Sequence, residues 1–363
     1  MKALFHLQHL YYLPQFLPVM LTLREQGWAT IEVSLSQRVS KAEFDIFRAE
    51  CKRHDFPVIT ASSETQRQAE LRRLNYDLIF VGNKTDLAAI VTSRARVIMI
   101  YHGIGLKQSY YTDIHSRIDV LVVESPDRLS VLENLSCRKV LAGFTKLDPL
   151  AWEKKQSAAI LTLPPDMEPE PGLPTILYAP TFYPSSVERV IPRLATFSLA
   201  ANILVKLHQF SWTKRKYRHH IRLARKAAEK NPRLKLLPYS CYNILPAYHH
   251  SDLLVTDISS TLFEYLAVGK PIIQTELFTP RFKHRLFPFL LEKRLDHQRF
   301  NAVDFVYSCR NSESLEAECT RRLAGDDPLA EKRKEAVGTY LYRLDGKASE
   351  RLLTDVKSMV SSV

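Results

Sequence analysis

Cysteine is scarce in this chain and falls into no recognisable pattern. The five thiols, Cys51, Cys137, Cys241, Cys309 and Cys319, are odd in number and widely spaced, with no C-x-x-C pair. A disulfide scaffold, a zinc ribbon and a dithiol redox site are thereby excluded, and a reducing compartment is the expected home. Charge is missing from Ala3 to Leu23, but His6, Gln8, His9, Pro14, Gln15 and Pro18 interrupt the run. A bilayer core needs about 20 predominantly apolar residues and a secretory signal needs a clean apolar centre, so this segment reads as a buried strand followed by a helix. Acidic residues are in deficit, 39 Asp and Glu against 51 Lys and Arg, for a formal net charge of +12. That balance points to an anionic partner, whether nucleic acid, a phosphorylated substrate or an acidic membrane surface. The sequence has no G-x-x-x-x-G-K-S/T, no H-E-x-x-H, no G-x-S-x-G, and no Asp-x-Asp pair to hold a divalent metal against a nucleotide. Neither a metal nor another cofactor is expected.

What is present describes a folded protein. At 363 residues, 45% hydrophobic and 25% charged, the chain sits near globular averages and is long enough for two domains. Apolar runs at Ala3–Leu7, Ala29–Leu35, Leu78–Val81, Val97–Tyr101 and Val120–Val123 alternate with amphipathic stretches, the rhythm of a parallel sheet wrapped by helices. Between Thr162 and Pro174, prolines at 164, 165, 169, 171 and 174 restrict their predecessors away from helix and mark a linker. The rhythm restarts at Thr175–Ala179, Asn202–Lys206, Leu234–Leu237, Leu253–Thr256 and Pro271–Gln274. Two parallel α/β domains are expected: residues 1–163, joined by a last helix at about 338–363 that crosses back, and residues 174–337. In open α/β sheets ligands bind at the carboxyl ends of strands, so function is expected there, with the two sheets flanking one cleft.

Four stretches carry candidate chemistry. In Val97–Lys107 an apolar strand ends at His102, followed by Gly103, Gly105 and Lys107. A histidine there is placed to act as a general base, and equally to be a packed or capping residue of an ordinary βα turn. In Asp252–Pro271 a strand leads through Asp257 to Ser259, Ser260 and Thr261 at a helix start, an anion site suited to a diphosphate. Thr261-x-x-Glu264 also fits a capping box, while Glu264 is alternatively placed to reach a ribose hydroxyl. Asn202–His208 is a buried strand ending in Lys206 and His208, either facing the same cleft or packed in the core. The pairs His219–His220 and His249–His250 read as surface or packing residues. Finally, eleven positive residues from Lys206 to Lys235 face only Glu229. Such a run suits an anionic membrane or polyanionic acceptor, with Trp212, Tyr217 and Ile221 as an interfacial apolar component, or a plain solvated face. Nucleic acid is the weaker option, because no recognition motif accompanies the charge.

In order, these segments resemble the CDP-glycerol glycerophosphotransferase family, the teichoic-acid-type primases and polymerases with two Rossmann-like domains in the glycosyltransferase-B arrangement. The family's W-H-G-T-P-L-K is similar to Tyr101, His102, Gly103, Ile104, Gly105, Leu106, Lys107, and its I-L-Y-A-P-T-W to Ile176 through Phe182. Its basic-x-His-Pro resembles Lys206, Leu207, His208, with Gln209 in place of proline. Its T-D-Y-S-S and F-D-Y block resembles Asp252–Tyr265, with Ile258 for tyrosine and Glu264 for aspartate, and its D-G-x-A-x-x-R resembles Asp345–Arg351. The resemblance implies transfer of glycerol phosphate or a related alditol phosphate from a CDP-linked donor to a hydroxyl of a lipid-linked or polymeric glycan, releasing CMP. His102 is then the base, with Gly103 and Lys107 on the acceptor side. His208 and Lys206 neutralise developing charge, and Asp257, Ser259, Ser260, Thr261, Glu264, Thr181 and Arg351 serve the donor. A cytosolic enzyme on the inner face of the membrane, in a capsule or teichoic-type pathway, is implied. The competing readings are a nucleotide-sugar glycosyltransferase or epimerase of the same fold, and a non-catalytic glycan-binding subunit.

Overall fold

The computed structural model describes residues 1–83, 87–92, 94–105, 114–281, 286, 289 and 296–361. The chain divides into two compact units, one of Met1–Gly103, Tyr110–Trp152 and Gly338–Val363, the other of Ile104–Ser109 and Glu153–Val337.

The first unit is a six-stranded parallel sheet of β1 (Lys2–Leu7), β2 (Thr30–Leu35), β3 (Leu78–Val81), β4 (Arg96–Ile100), β5 (Val120–Val123) and β6 (Arg138–Leu141). The strand order is β2-β1-β3-β4-β5-β6. The charge-free amino-terminal stretch forms β1 and then α1 (Leu13–Gln26), which opens with Pro14 in its first turn and stops at Gly27, φ +66°. Helices α2 (Lys41–Arg53), α3 (Glu64–Leu74) and α4 (Pro126–Val131) each start from a serine whose side chain accepts an amide hydrogen of the first turn. The strands are apolar because both faces are covered, and Ile79, Val97, Met99 and Leu121 lie in one buried cluster.

The second unit opens with α5 (Lys154–Leu161), followed by the strands β7 (Thr175–Tyr178), β8 (Asn202–Val205), β9 (Leu234–Leu236), β10 (Leu253–Thr256), β11 (Ile272–Thr275) and β12 (Tyr307–Cys309). All pairings are parallel, in the order β12-β11-β10-β7-β8-β9. The helices are α6 (Val187–Leu194), α7 (Gln209–Thr213), α8 (His219–Lys230), α9 (Leu245–His249), the single turn α10 (Thr261–Glu264), α11 (His297–Asn301), α12 (Leu315–Leu323) and α13 (Ala330–Tyr340). The last helix, α14 (Ala348–Ser361), returns to the first unit and packs on α1.

The sheet orders locate the crevices. Strand order reverses between β1 and β3 in the first unit and between β7 and β10 in the second, and open α/β sheets bind ligands at such switch points. No helix among the described residues is long and apolar enough to cross a membrane.

Candidate active site

In the first unit, β4 ends just before Tyr101 and His102. The half-buried His102 places Nδ1 3.0 Å from the carbonyl oxygen of Gly82, the residue that follows β3. A carbonyl oxygen only accepts, so Nδ1 carries a proton and, while the ring is neutral, Nε2 carries the lone pair. Three tyrosine rings surround the imidazole: Tyr12 at 4.6 Å, Tyr101 at 4.8 Å and Tyr11 at 5.3 Å between centroids. A Cβ on Gly82 would stand 2.9 Å from the Tyr12 ring, so the approach of β3 to this cluster requires glycine. The residues behind His102 carry no motif. Their only signal in the sequence is a glycine directly after the apolar run Leu78–Val81. Gly103 follows, buried, whereas Lys107 lies outside the described residues.

Arg351, expected at the donor, is held by two of its guanidinium nitrogens within the first unit. Its Nε donates to the Ala142 carbonyl at 2.8 Å and its Nη1 to both Asp345 oxygens at 2.9 and 2.7 Å. Partial burial would raise the Asp345 carboxyl, but Arg351 and the Lys347 amide hold it below its ordinary range. The amides of Ala348 and Ser349 donate to Asp148 at 3.0 and 2.8 Å. The Asp345–Arg351 motif is therefore a clasp at the start of α14, and its residues belong to the first unit while the serines belong to the second.

In the second unit the switch point gathers the loops after β7 and β10. The fully buried Asp257 accepts the Thr181 amide at 2.7 Å, the Ser186 amide at 3.0 Å and the Ser186 hydroxyl at 2.9 Å. An inward carboxylate with these donors ties the two loops together. Thr181 is itself buried and gives its carbonyl to the Ser185 hydroxyl. The Thr261 hydroxyl bonds the Ala179 carbonyl at 3.2 Å and Thr256 at 2.8 Å, so it too serves the loop junction. The capping box is not formed: Ser260 occupies the cap position without a side-chain bond, and the α-helix beyond is one turn. Glu264, expected at a ribose hydroxyl, is 1% exposed and accepts the Tyr248 hydroxyl at 3.0 Å. Ser259 and Ser260 remain half-buried at the mouth of the crevice.

Beside them, β8 leads to Lys206 and His208. The Phe210 amide donates to His208 Nδ1 at 3.0 Å, so the imidazole caps α7 and, while neutral, holds its proton on Nε2. Phe182, the last residue of the Ile176–Phe182 stretch, packs 4.6 Å from this ring and 5.3 Å from Tyr217. Lys206 is half-buried with Nζ 3.4 Å from the Leu207 carbonyl. On α8 the cations Arg222, Arg225 and Lys226 are exposed, whereas Tyr217 is buried and Trp212 and Ile221 pack against the core. The expected interfacial apolar component is therefore turned largely inward, Tyr217 fully and Trp212 and Ile221 in part. His219 and His220, expected as surface or packing residues, converge on Glu188.

Comparison with known proteins agrees with this fold. A variant of the wall teichoic acid polymerase TagF soaked with CDPG shares 15% identity at a TM-score of 0.67, over 99% of this chain and 89% of that one. UDP-GlcNAc 2-epimerase from Neisseria meningitidis, bound to UDP-GlcNAc, shares 14% identity at 0.64, over 99% and 100%. S. aureus MnaA with UDP shares 14% at 0.65, over 100% and 97%. At these identities the likeness is one of fold, the glycosyltransferase-B type with two Rossmann-like domains. A sequence search of curated proteins finds no match. The family model for CDP-glycerol:poly(glycerophosphate) glycerophosphotransferase matches residues 77–358, from the start of β3 into α14, and the chain belongs to that family.

Proposed function

We propose that this enzyme transfers an alditol phosphate from a CDP-linked donor, CDP-glycerol first among them, to a hydroxyl of a lipid-linked or polymeric glycan, releasing CMP. The observation that carries the reading is the opposite setting of two half-buried histidines at strand ends. His102, its Nδ1 proton given to Gly82, offers a lone pair on Nε2, and His208, its Nδ1 taken by the Phe210 amide, offers a proton on Nε2. One is set to accept a proton and the other to donate a hydrogen bond.

In the reaction the acceptor hydroxyl oxygen attacks the alditol-bearing β-phosphorus. His102 Nε2 takes the hydroxyl proton as the new oxygen–phosphorus bond forms. The bond from β-phosphorus to the bridging oxygen breaks, and CMP leaves with that electron pair. His208 Nε2–H and the Lys206 ammonium stabilise charge on the phosphoryl oxygens, where an oriented donor lowers the barrier most. Ser259 and Ser260 hold the diphosphate at the crevice of the second unit. Thr181, Asp257, Thr261 and Glu264 keep that crevice in shape from behind. Gly103 serves the acceptor side, and Arg351, which also secures α14, serves the donor. The exposed cations of α8 hold the enzyme against the anionic inner face of the membrane or a polyanionic acceptor.

Donor screening tests the reading. Incubation with CDP-glycerol, CDP-ribitol, UDP-sugars and GDP-sugars, followed by chromatography of the nucleotides, is expected to show CMP from the CDP-alditols alone. Release of UDP or GDP instead would make the enzyme a nucleotide-sugar transferase.

A further inference from the structure

We infer that Glu188, His219 and His220 form a binding site for one divalent transition-metal ion of the zinc class, bridging α6 to α8. The three offer ligand atoms that all lie within 4.8 Å of one another. His219 Nε2 lies 2.7 Å and His220 Nε2 3.4 Å from the same oxygen, Glu188 Oε1. Zinc bonds of about 2.0–2.2 Å set tetrahedral ligand atoms roughly 3.4 Å apart, so binding needs adjustments on the order of 1 Å.

Three further features fit an ion. The other carboxylate oxygen, Glu188 Oε2, is buried without a hydrogen-bond partner, which a bound cation would supply. Buried His220 has its second nitrogen, Nδ1, 2.9 Å from the Ser211 hydroxyl, the outer partner that turns Nε2 toward a metal. The His219 side chain is 37% exposed and opens the cluster to solvent and to a water ligand. The exposed cations of α8 oppose an ion held by charge alone, such as Mg2+, whereas two imidazoles favour an ion of borderline softness.

The ion would act as a clamp. Glu188 lies two residues after Ser186, which anchors Asp257, and the rings of Tyr217 and then Phe182 lead from the cluster to His208. Binding would hold the helix behind the donor crevice, apart from the reacting atoms.

The test is calorimetric titration of untagged, chelator-stripped full-length protein with Zn2+, alongside Glu188→Gln and His219→Ala, with circular dichroism confirming that each variant is folded. One-to-one binding, at least roughly tenfold weaker in both variants, and a melting temperature raised by about 3 °C or more in wild type alone are expected. No uptake by wild type, or uptake of equal affinity in both variants, would overturn the site. Neither readout depends on the transfer reaction.

Discussion

The imidazole of His102 donates its Nδ1 proton to the carbonyl oxygen of Gly82 at 3.0 Å, and that bond joins the ends of two neighbouring strands, β3 and β4. The ring is held in one tautomer by backbone, and the tyrosines around it fix its plane. Replacing His102 with alanine is expected to lower kcat about 10²–10⁴-fold, the usual contribution of a positioned base, with an unchanged far-ultraviolet circular dichroism spectrum. Steady-state kinetics of CMP formation provide the check.

The glycine behind the ring is expected to matter almost as much. In Gly82→Ala the new Cβ falls 2.9 Å from Tyr12, whose ring packs against His102. Overpacking of this kind costs about 1–3 kcal/mol. Displacement of the base is expected to reduce kcat by up to about 100-fold. Denaturant melts and kinetics on the same variant measure both, and a fully active, fully stable variant would contradict the assignment.

Asp257 is expected to be a stability residue. Its removal strands the Thr181 amide, the Ser186 amide and the Ser186 hydroxyl in the interior. At about 1–3 kcal/mol per buried unsatisfied group, partly relieved by water, Asp257→Ala is expected to cost roughly 3 kcal/mol, and Asp257→Asn less. Thermal denaturation is expected to show a fall of about 6–12 °C for alanine.

Much of this was legible before the structure. Apolar runs bounded by turn residues mark ten of the twelve strands among the described residues, and the two they miss, β6 and β12, are short edge strands with polar or half-exposed positions. The strand-end residues His102, Lys206, His208, Asp257 and Ser259 were legible as well, because chemistry at strand ends follows from a parallel sheet. Side-chain direction was not. Asp257, Thr261 and Glu264 share their segment with Ser259 and Ser260, yet each finds an interior partner on another loop or helix. The same holds for Trp212, Tyr217 and Ile221, which the density of neighbouring charge made look exposed. Only tertiary packing tells a polar residue that binds from one that ties loops together.

Acid sensitivity is expected to centre on Glu64 in the first unit. Partial burial would raise its carboxyl, but the Arg67 guanidinium, the Gln37 amide and the Ser36 hydroxyl bring it from an ordinary 4.5 down to about 2. With the folded value depressed, the stabilisation is present above about pH 4.5 and is lost as pH falls toward 2. Glu64→Gln is therefore expected to be less stable than wild type at pH 7 and to flatten the wild-type decline between these limits. Denaturant midpoints measured across that window test it.

Membrane attachment through α8 is expected to be purely electrostatic, because the nearby aromatics face the core. Reversing Arg222, Arg225 and Lys226 to glutamate is expected to weaken sedimentation with anionic vesicles by about 100-fold or more at low salt. About 0.5 M salt is expected to release wild type as well. Transfer to a soluble, uncharged acceptor is expected to stay unchanged.

The most direct measurement is acceptor-dependent CMP release from CDP-glycerol by wild type, His102→Ala and His208→Ala, with a crude lipid or polymer fraction as acceptor. The account predicts CMP from wild type only when acceptor is present, and a loss of at least about 100-fold in each variant. Undiminished CMP release in either variant, or no CMP from wild type while another nucleotide-linked donor is consumed, would contradict it.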